Sequence, residues 1–517
     1  MPSHQACESA NSAESKTSLA PFMTSQSSNA SEPHWAPRLA QEARLAELEA
    51  RLALPGDSDA RLNTEIERAA LLGALDRGQD ATAAFVDILR RHPTHFSALN
   101  EFGTLLTAQG SIDAACRVYA EAILHHPDNP MARVNLGNLL LRANRHAEAR
   151  VHYEAALSAE PDHAGAHQGM GAVLADEGDR DGAREHFRKG FRGLAVSTLP
   201  YRGKGAPIPL LQLVSSGGGN IPTAPFLDDS VFLTTVVVTD HLEPSTPLPP
   251  HRLIFNAIGD PDLCQPALEA ATRLTARATT PVINDPRAVL TTGRMDNAAR
   301  LAGLPGVVTA RTLAVAHGIL GGSEAGAWLA NHDFAFPLLL RSPGYHTGRN
   351  FALVETAADL ADAVAELPGD ELLVIEYLDA RAADGNARKY RVMMIGGEIF
   401  PLHLAISRNW KVHYFTSDMA DEPGHRTEEM AFLEDMRTVL GDKAMAALHA
   451  ICDALGLDYG GIDFAVNADG DVLLFEANAT MVIAAPPGND PRWAYRRGPI
   501  DAAIQAVVAM IKDRAGA

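Results

Sequence analysis

GGIDFAVNADGDVLLFEANATM, residues 460–481, sets two carboxylates and an amide (Asp463, Glu476 and Asn478) into a run of Val, Leu, Ile and Phe. Two β-prone segments flank Asp469-Gly470, a favoured two-residue hairpin turn, which predicts a pair of antiparallel strands. In that register Ala468 pairs with Asp471, and Asp463 falls opposite Glu476 with the Cβ atoms about 5 Å apart. Asn478 follows two residues on, on the same face. Ile462, Phe464, Val466, Leu473 and Phe475 take the other face as core, while Ala465, Val472 and Leu474 floor the acid face. A longer loop would shift this pairing. Like charges opposite each other destabilise a sheet unless something positive lies between them. Two carboxylates and a carbonyl oxygen suit Mg²⁺, which fills its remaining positions with phosphates or water. The bland alternative, an exposed hairpin with two solvated acids, calls for polar residues on that face, and the apolar floor speaks against it.

The bulk numbers set the frame. A chain of 517 residues exceeds one ordinary core, so several domains are expected. Hydrophobic content of 46% with 21% charged residues is typical of a soluble globular protein. The excess of 64 acidic over 44 basic residues, a net charge of −20, argues against nucleic acid or an anionic membrane as the main partner. Cys7, Cys116, Cys264 and Cys452 form no CxxC pair and read as reduced thiols of a cytoplasmic protein. No apolar run is long enough to span a membrane. Residues 1–37, rich in Ser, Ala, Gln and Asn, read as a disordered tail and not as a signal peptide.

From about residue 60 to 195 the chain repeats itself every 34 residues. Gly103, Gly137 and Gly171 form one column. Leu72, Leu106, Leu140 and Leu174 form a second, and Ala81, Ala115, Ala149 and Ala183 a third. Phe85, Tyr119, Tyr153 and Phe187 keep the same step, and Pro93, Pro127 and Pro161 close three units. Small residues let paired helices approach, the aromatic fills the gap and proline stops the second helix. Period and pattern resemble the tetratricopeptide repeat, about four helical hairpins in an all-α solenoid over residues 38–198. Such an array usually offers a surface to a peptide or protein partner; the alternative is a homodimer contact or a packing prop.

After Leu199 the texture changes. Short β-rich runs (VFLTTVVV, RLIFNAIG) alternate with helical segments such as Cys264 to Ala278 and Asp296 to Ala302. This predicts a small α/β lobe over 205–310 and a larger α+β region over 311–517. Glycine-rich turns in the lobe, SSGGGNIPT and FNAIGDPD, match neither a Rossmann fingerprint nor a P-loop. They offer only Asn256 and Asp260 as candidates.

Over roughly residues 230 to 510 the sequence resembles the ATP-grasp superfamily, the carboxylate–amine ligases related to glutathione synthetase and D-alanine–D-alanine ligase. Its most specific part is the EAN element with its upstream acid. By resemblance, Asp463, Glu476 and Asn478 hold Mg²⁺, in one ion or two and replaceable by Mn²⁺, that clamps the phosphates of ATP. The strand AFPLLLR ends in Arg341 where the family has a phosphate-binding Lys, and the loop Ser342 to Asn350 then acts as a lid. Arg294 stands where a second nucleotide-contacting Lys is usual. The segment DELLVIEYLDA resembles the hinge, with Glu376, Tyr377 and Leu378 toward the base and Asp379 toward the ribose. Arg391 matches the phosphate-contacting Arg of the family's D-x-R strand, although Lys389 replaces the acid. Lys389, His403, Arg408 and Lys411 read either as a cationic patch for an anionic substrate or as solvated charges.

The resemblance implies an ATP-dependent ligase that forms an amide through an acyl phosphate, with Arg391 and Arg341 stabilising the transferring phosphoryl group. A small molecule, peptide or protein end would be the substrate. Two alternatives stand beside it: an ATP-grasp kinase, and a repeat scaffold whose nucleotide domain binds without turnover.

Overall fold

The computed structural model describes residues 38–55, 57–343, 350–412, 414, 417–484 and 490–517. The expected tail, 1–37, and most of the expected lid, 344–349, lie outside the described residues. The chain separates into two compact units: the described residues up to 218 together with 227–254, and residues 219–226 together with those from 255 onward.

Helices α1 (Arg38–Leu52), α2 (Ser58–Ala74), α3 (Gly78–Arg91), α4 (Phe96–Ala108), α5 (Ile112–His125), α6 (Pro130–Arg142), α7 (His146–Ala159), α8 (Ala164–Glu177) and α9 (Arg180–Gly190) open the first unit. They form a leading helix and four antiparallel hairpins, α2/α3 to α8/α9. All four sequence columns are structural. The Leu, Ala and aromatic columns are buried throughout, and the glycines are compulsory for packing. A Cβ on Gly103 would stand 2.5 Å from Tyr119, one on Gly137 2.7 Å from Tyr153 and one on Gly171 2.6 Å from Phe187.

A further column escapes a reading of hydrophobic periodicity. Asp76, Gly110, Asn144 and Gly178, again 34 apart, turn the chain within each hairpin with φ of 63°, 73°, 66° and 90°. These are the residue types that enter the left-handed region at least cost. His95, Asn129 and His163 cap the next helix of successive units through side-chain acceptors for the amides of Ala98, Met131 and Ala166.

The first unit also holds β1 (Val196–Thr198), β2 (Ile208–Val214) and β3 (Phe232–Val238). β2 runs parallel to β3, and β1 antiparallel to it. β4 (Leu253–Asn256) continues the order β1-β3-β2-β4 and carries the chain into the second unit.

In the second unit, a two-residue strand β5 (Val282–Ile283) precedes two larger sheets. One is antiparallel, in the order β7-β10-β8-β9, from β7 (Thr312–Ala316), β8 (Leu338–Arg341), β9 (Phe351–Val354) and β10 (Glu371–Glu376). Its core includes Val315, Leu338, Leu340, Val354, Leu372 and Val374. The other runs β12-β11-β13-β14-β6, from β6 (Val307–Thr309), β11 (Ala387–Ile395), β12 (Glu398–Ser407), β13 (Tyr459–Val466) and β14 (Val472–Asn478), with only β6 parallel to its neighbour. Helix Pro423–Glu434 packs against β12, and Arg497–Arg514 against β11 and β12. Gly396 and Gly397, at φ of 59° and 91°, turn β11 into β12 as expected.

The opening hairpin differs from its expected form. Its loop has five residues, Asn467 to Asp471, because Asn467 organises it. The Oδ1 of Asn467 accepts from the amides of Asp469 (3.0 Å) and Asp471 (2.8 Å), and its own amide donates to Asp471 O at 3.0 Å. Val466 therefore pairs with Val472, one residue out of the expected register, and Phe464 with Leu474. A bulge at Phe475 cancels the slip, and Asp463 faces Glu476 after all. Phe475 itself leaves the core and is 38% exposed.

Two expectations follow for the solenoid. Gly137→Ala should lower its stability by about 1–3 kcal/mol through overpacking, read in urea unfolding together with a changed near-ultraviolet signal from Tyr153. Acid should weaken it as well. His167 Nδ1 lies 3.0 Å from His186 Nδ1, while its Nε2 meets Pro161 O at 2.9 Å. Both imidazoles are held below their ordinary pKa, His167 chiefly by burial and His186 by burial and then by His167. The unfolded chain therefore binds the extra protons, so stability is full above about pH 6.5 and falls below it. Unfolding midpoints between pH 8 and 5 test this, and His186→Gln should reduce the slope.

Candidate active site

Four strands place one residue each in a single cross-strand row. His403 on β12 pairs with Arg391 on β11, Arg391 pairs with Asp463 on β13, and Asp463 pairs with Glu476 on β14. Residues directly opposite in antiparallel strands share a face, so the row forms one charged lane across the sheet. A bulge accompanies it on each side, at Leu402 on β12 and at Phe475 on β14. Bulges bend a strand and re-aim the neighbouring side chain.

Asp463 is 3% exposed. Arg391 grips it with two bonds, Nε to Oδ1 at 2.6 Å and NH2 to Oδ2 at 2.9 Å, and Lys389 Nζ reaches Oδ2 at 2.9 Å. Burial by itself would push this carboxyl up; Arg391 and then Lys389 overcome it and hold the group far below the ordinary carboxylate range. Glu476, with a side chain 34% exposed, receives Arg294 NH2 at 2.6 Å and Asn478 Nδ2 at 3.0 Å. Burial raises its carboxyl, and Arg294 followed by Arg341 lowers it further than that. Asn478 Oδ1 accepts from the Thr480 amide at 3.0 Å and hydroxyl at 2.8 Å.

The other sheet contributes from its strand ends. Arg341 closes β8, and its guanidinium, 5.7 Å over the Phe351 ring, is brought down to about 10 by burial and then by Arg294. Lys411 lies 5.9 Å from the same ring and is lowered by burial and by Arg341. Thus Arg294, Arg341, Arg391, Asp463, Glu476 and Asn478 come together, with Lys389 and Lys411 among them. The expected cationic patch divides: Arg408 points away to Glu422 at 3.0 Å, an exposed surface pair, and His403 is buried.

The four hinge residues follow one another from the end of β10. Glu376 is tied to Arg311 by its amide, which donates to Arg311 O at 2.9 Å, and by its Oε2, which accepts from the Arg311 amide at 3.2 Å. Asp379 pairs with Arg381 at 2.6 Å on the surface, while Tyr377 and Leu378 are half-buried. Asn256 and Asp260 are structural. Asn256 is fully buried and donates to Asn284 O at 3.0 Å, and Asp260 caps the helix Pro261–Thr275. A cluster of Tyr414, Glu429, Tyr495 and Arg496 beside His403 has no counterpart among the expected residues. Its members come from three segments, and no short motif announces them.

Asp463, Glu476 and Asn478 supply hard oxygen donors on adjoining strands, the chemistry a magnesium ion prefers. All three are engaged by protein donors. The set fits a divalent ion on the condition that an anion draws Arg294, Arg391 and Lys389 off the carboxylates. Among the described residues no group of three or more His, Cys, Asp and Glu side chains forms a metal cage, and no helix is long and apolar enough to cross a membrane.

Comparison with known proteins identifies the repeats. Tetratricopeptide repeat family models match residues 100–152 and 140–190, so the chain carries tetratricopeptide repeats. Among solved structures it is similar to MamA from Desulfovibrio magneticus RS-1, with 22% identity, 30% of this chain and 85% of that one covered, and a TM-score of 0.25. A tetratricopeptide repeat protein from Parabacteroides merdae shows 15% identity, 29% and 59% coverage, and a TM-score of 0.26. None of the curated proteins matches the chain.

Asp463→Asn should destabilise the second unit by about 3–5 kcal/mol, because Arg391 and Lys389 would keep their charges in a buried place without a counter-ion. Glu476→Gln, at the more exposed end of the row, should cost far less. Urea unfolding of the two variants side by side measures the difference.

Proposed function

We propose that the charged row binds MgATP and that the chain is an ATP-dependent carboxylate–amine ligase with a partner-recruiting repeat domain. The observation that carries this reading is the row itself: two acids and an amide on adjoining strands, ringed by Arg294, Arg341, Lys389 and Arg391. Two sheets, one antiparallel and the other antiparallel save for β6, support the ATP-grasp resemblance.

On this reading the phosphate oxygens would attract the four cations, and Glu476 freed of Arg294 and Asp463 freed of Arg391 and Lys389 would hold Mg²⁺, with Asn478, whose Oδ1 meets Thr480, beside them. The ion supplies charge neutralisation on the phosphates. Arg341 and Arg391 meet the charge that develops on the phosphoryl group in flight. The γ-phosphoryl would pass to a substrate carboxylate oxygen while its bond to the bridging oxygen breaks and ADP leaves with that electron pair. An amine nitrogen then attacks the carbonyl carbon and loses a proton, phosphate leaves with the C–O bond electrons, and an amide results. Arg at positions 294 and 341 keeps the charge of Lys and adds a planar fork that can hold two oxygens at once.

A scaffold that binds nucleotide without turnover is the second reading, favoured by the tetratricopeptide match and by the mutual satisfaction of the row's charges. Purified protein with MgATP and pooled amino acids or peptides separates the two. Phosphate release that requires both a carboxylate and an amine supports the ligase, a stable phosphorylated acceptor points to a kinase, and nucleotide binding without ADP formation favours the scaffold. Glu476→Gln should lower turnover by about a hundredfold or more while the protein stays folded. Mn²⁺ titrated by electron paramagnetic resonance should bind weakly alone and more tightly with a non-hydrolysable ATP analogue. Equal affinity in both cases would remove the phosphate-for-carboxylate exchange from the mechanism.

A further inference from the structure

Asp463 holds more cations than its single charge requires. Arg391 forks onto it, Nε to Oδ1 at 2.6 Å and NH2 to Oδ2 at 2.9 Å, and that pair by itself is neutral with both oxygens bonded. Lys389 Nζ then adds a second cation to Oδ2, at 2.9 Å. All three side chains are largely buried, 5% exposed for Asp463, 16% for Arg391 and 18% for Lys389. Among the described residues Asp463 is the one acid within ion-pair reach of Lys389. With Arg294 on Glu476, the row carries three cations for two acids.

Stability does not ask for a lysine here. Burying a charge is tolerable where a partner balances it, and Asp463 is already balanced by Arg391. An apolar side chain of similar length would keep the packing of the lysine stem and leave the Arg391–Asp463 pair whole. On β12, Lys389 stands opposite Ala405, and Arg391 opposite His403, an imidazole held low by burial and then by Arg391.

The two cations also differ in how they let go. A guanidinium gives up two directed bonds when it leaves a carboxylate, whereas an ammonium is a point charge on a flexible stem and gives up one. Arg391 stands directly opposite Asp463, and Lys389, two residues away on the same face of β11, reaches it diagonally. Lys389 is the partner that leaves more easily. What it occupies is a carboxylate oxygen, the hard ligand that a magnesium or manganese ion takes. An ammonium and a divalent ion exclude each other there.

We propose that Lys389 is a resident counter-ion that competes with the divalent ion for Asp463, so that the ion enters when an anion has drawn the ammonium away. This rests on the metal reading of the proposed function and gives one residue the task of making metal binding wait for phosphate. The surplus charge then has a role: it keeps the acid from loading a divalent ion in an empty site.

The test titrates the full chain with Mn²⁺, read by electron paramagnetic resonance, first alone and then with a non-hydrolysable ATP analogue. Without nucleotide, Lys389→Met should bind Mn²⁺ at least about tenfold more tightly than the wild type, as expected for removal of one charged hydrogen bond from Asp463. Lys389→Arg, which keeps the charge, should bind as weakly as the wild type. The gain in Mn²⁺ affinity brought by the analogue should shrink in Lys389→Met. Its urea midpoint should equal or exceed that of the wild type, whereas a merely structural ion pair predicts a lower midpoint and no gain in Mn²⁺ affinity. Lys389→Gln carries the same expectations should Lys389→Met pack poorly. Mn²⁺ affinity without nucleotide that is no higher in these neutral variants than in the wild type would overturn the role of Lys389, whatever the analogue does. A wild type in which the analogue leaves Mn²⁺ affinity unchanged would end the nucleotide reading, whatever the Lys389 variants show.

Discussion

Asp463 lies 3% exposed between Arg391 and Lys389, and the rest of the second unit is arranged to make that tolerable. Removing a carboxylate from water is costly, and the cost is met only by close, well-directed cations. Arg391 provides two such bonds and Lys389 a third, which requires both cations to share a face of β11; alternation along the strand places them there. Strand pairing then carries the pattern outward, to His403 on one side and Glu476 on the other. Both bulges sit beside this row. The strands bend where the charges must be aimed.

How much of this could be read beforehand depends on the range of the interaction. The pairing of Asp463 with Glu476 was legible because strand alternation and a nearby turn nearly determine it. The turn itself was misread: Asn467 accepts two amides and widens the loop to five residues, and only the Phe475 bulge restores the pairing. Side-chain capture of a loop and a compensating bulge leave no periodic trace. Arg294 was placed at the site by resemblance, as a nucleotide contact, and its bond to Glu476, 182 residues away, was not foreseen. The Glu429 cluster, with Tyr495 bonded across 66 residues, had neither source. Burial of an acid beside tyrosines is a property of the assembled fold.

The solenoid shows the opposite case, because repetition exposes its rules. Where the packing aromatic is Tyr119, its hydroxyl meets Thr104 at 3.1 Å; where it is Tyr153, the hydroxyl donates to Asn138 at 2.8 Å. One period further on the aromatic is Phe187 and the partner position is Ala172; one period back they are Phe85 and Ala70. A buried phenol needs a hydrogen-bond partner, and a phenyl ring does not. The two columns change together, and the left-handed column of Asp76, Gly110, Asn144 and Gly178 follows the same logic for the backbone.

Strand spacing gives the row its scale. Neighbouring strands lie about 4.8 Å apart, so three intervals separate His403 from Glu476 by roughly 14 Å. That is wide enough for two ligand groups side by side and too wide for one small anion to touch both ends. The ends also differ in kind. Glu476 and Asn478 carry side-chain oxygens at one end, whereas the other ends in the buried imidazole of His403, held low by burial and by Arg391. Arg391 and Asp463 stand between them, bonded to each other, and Lys389 holds Asp463 as well, so a charge that drew Arg391 away would leave the carboxylate on one cation.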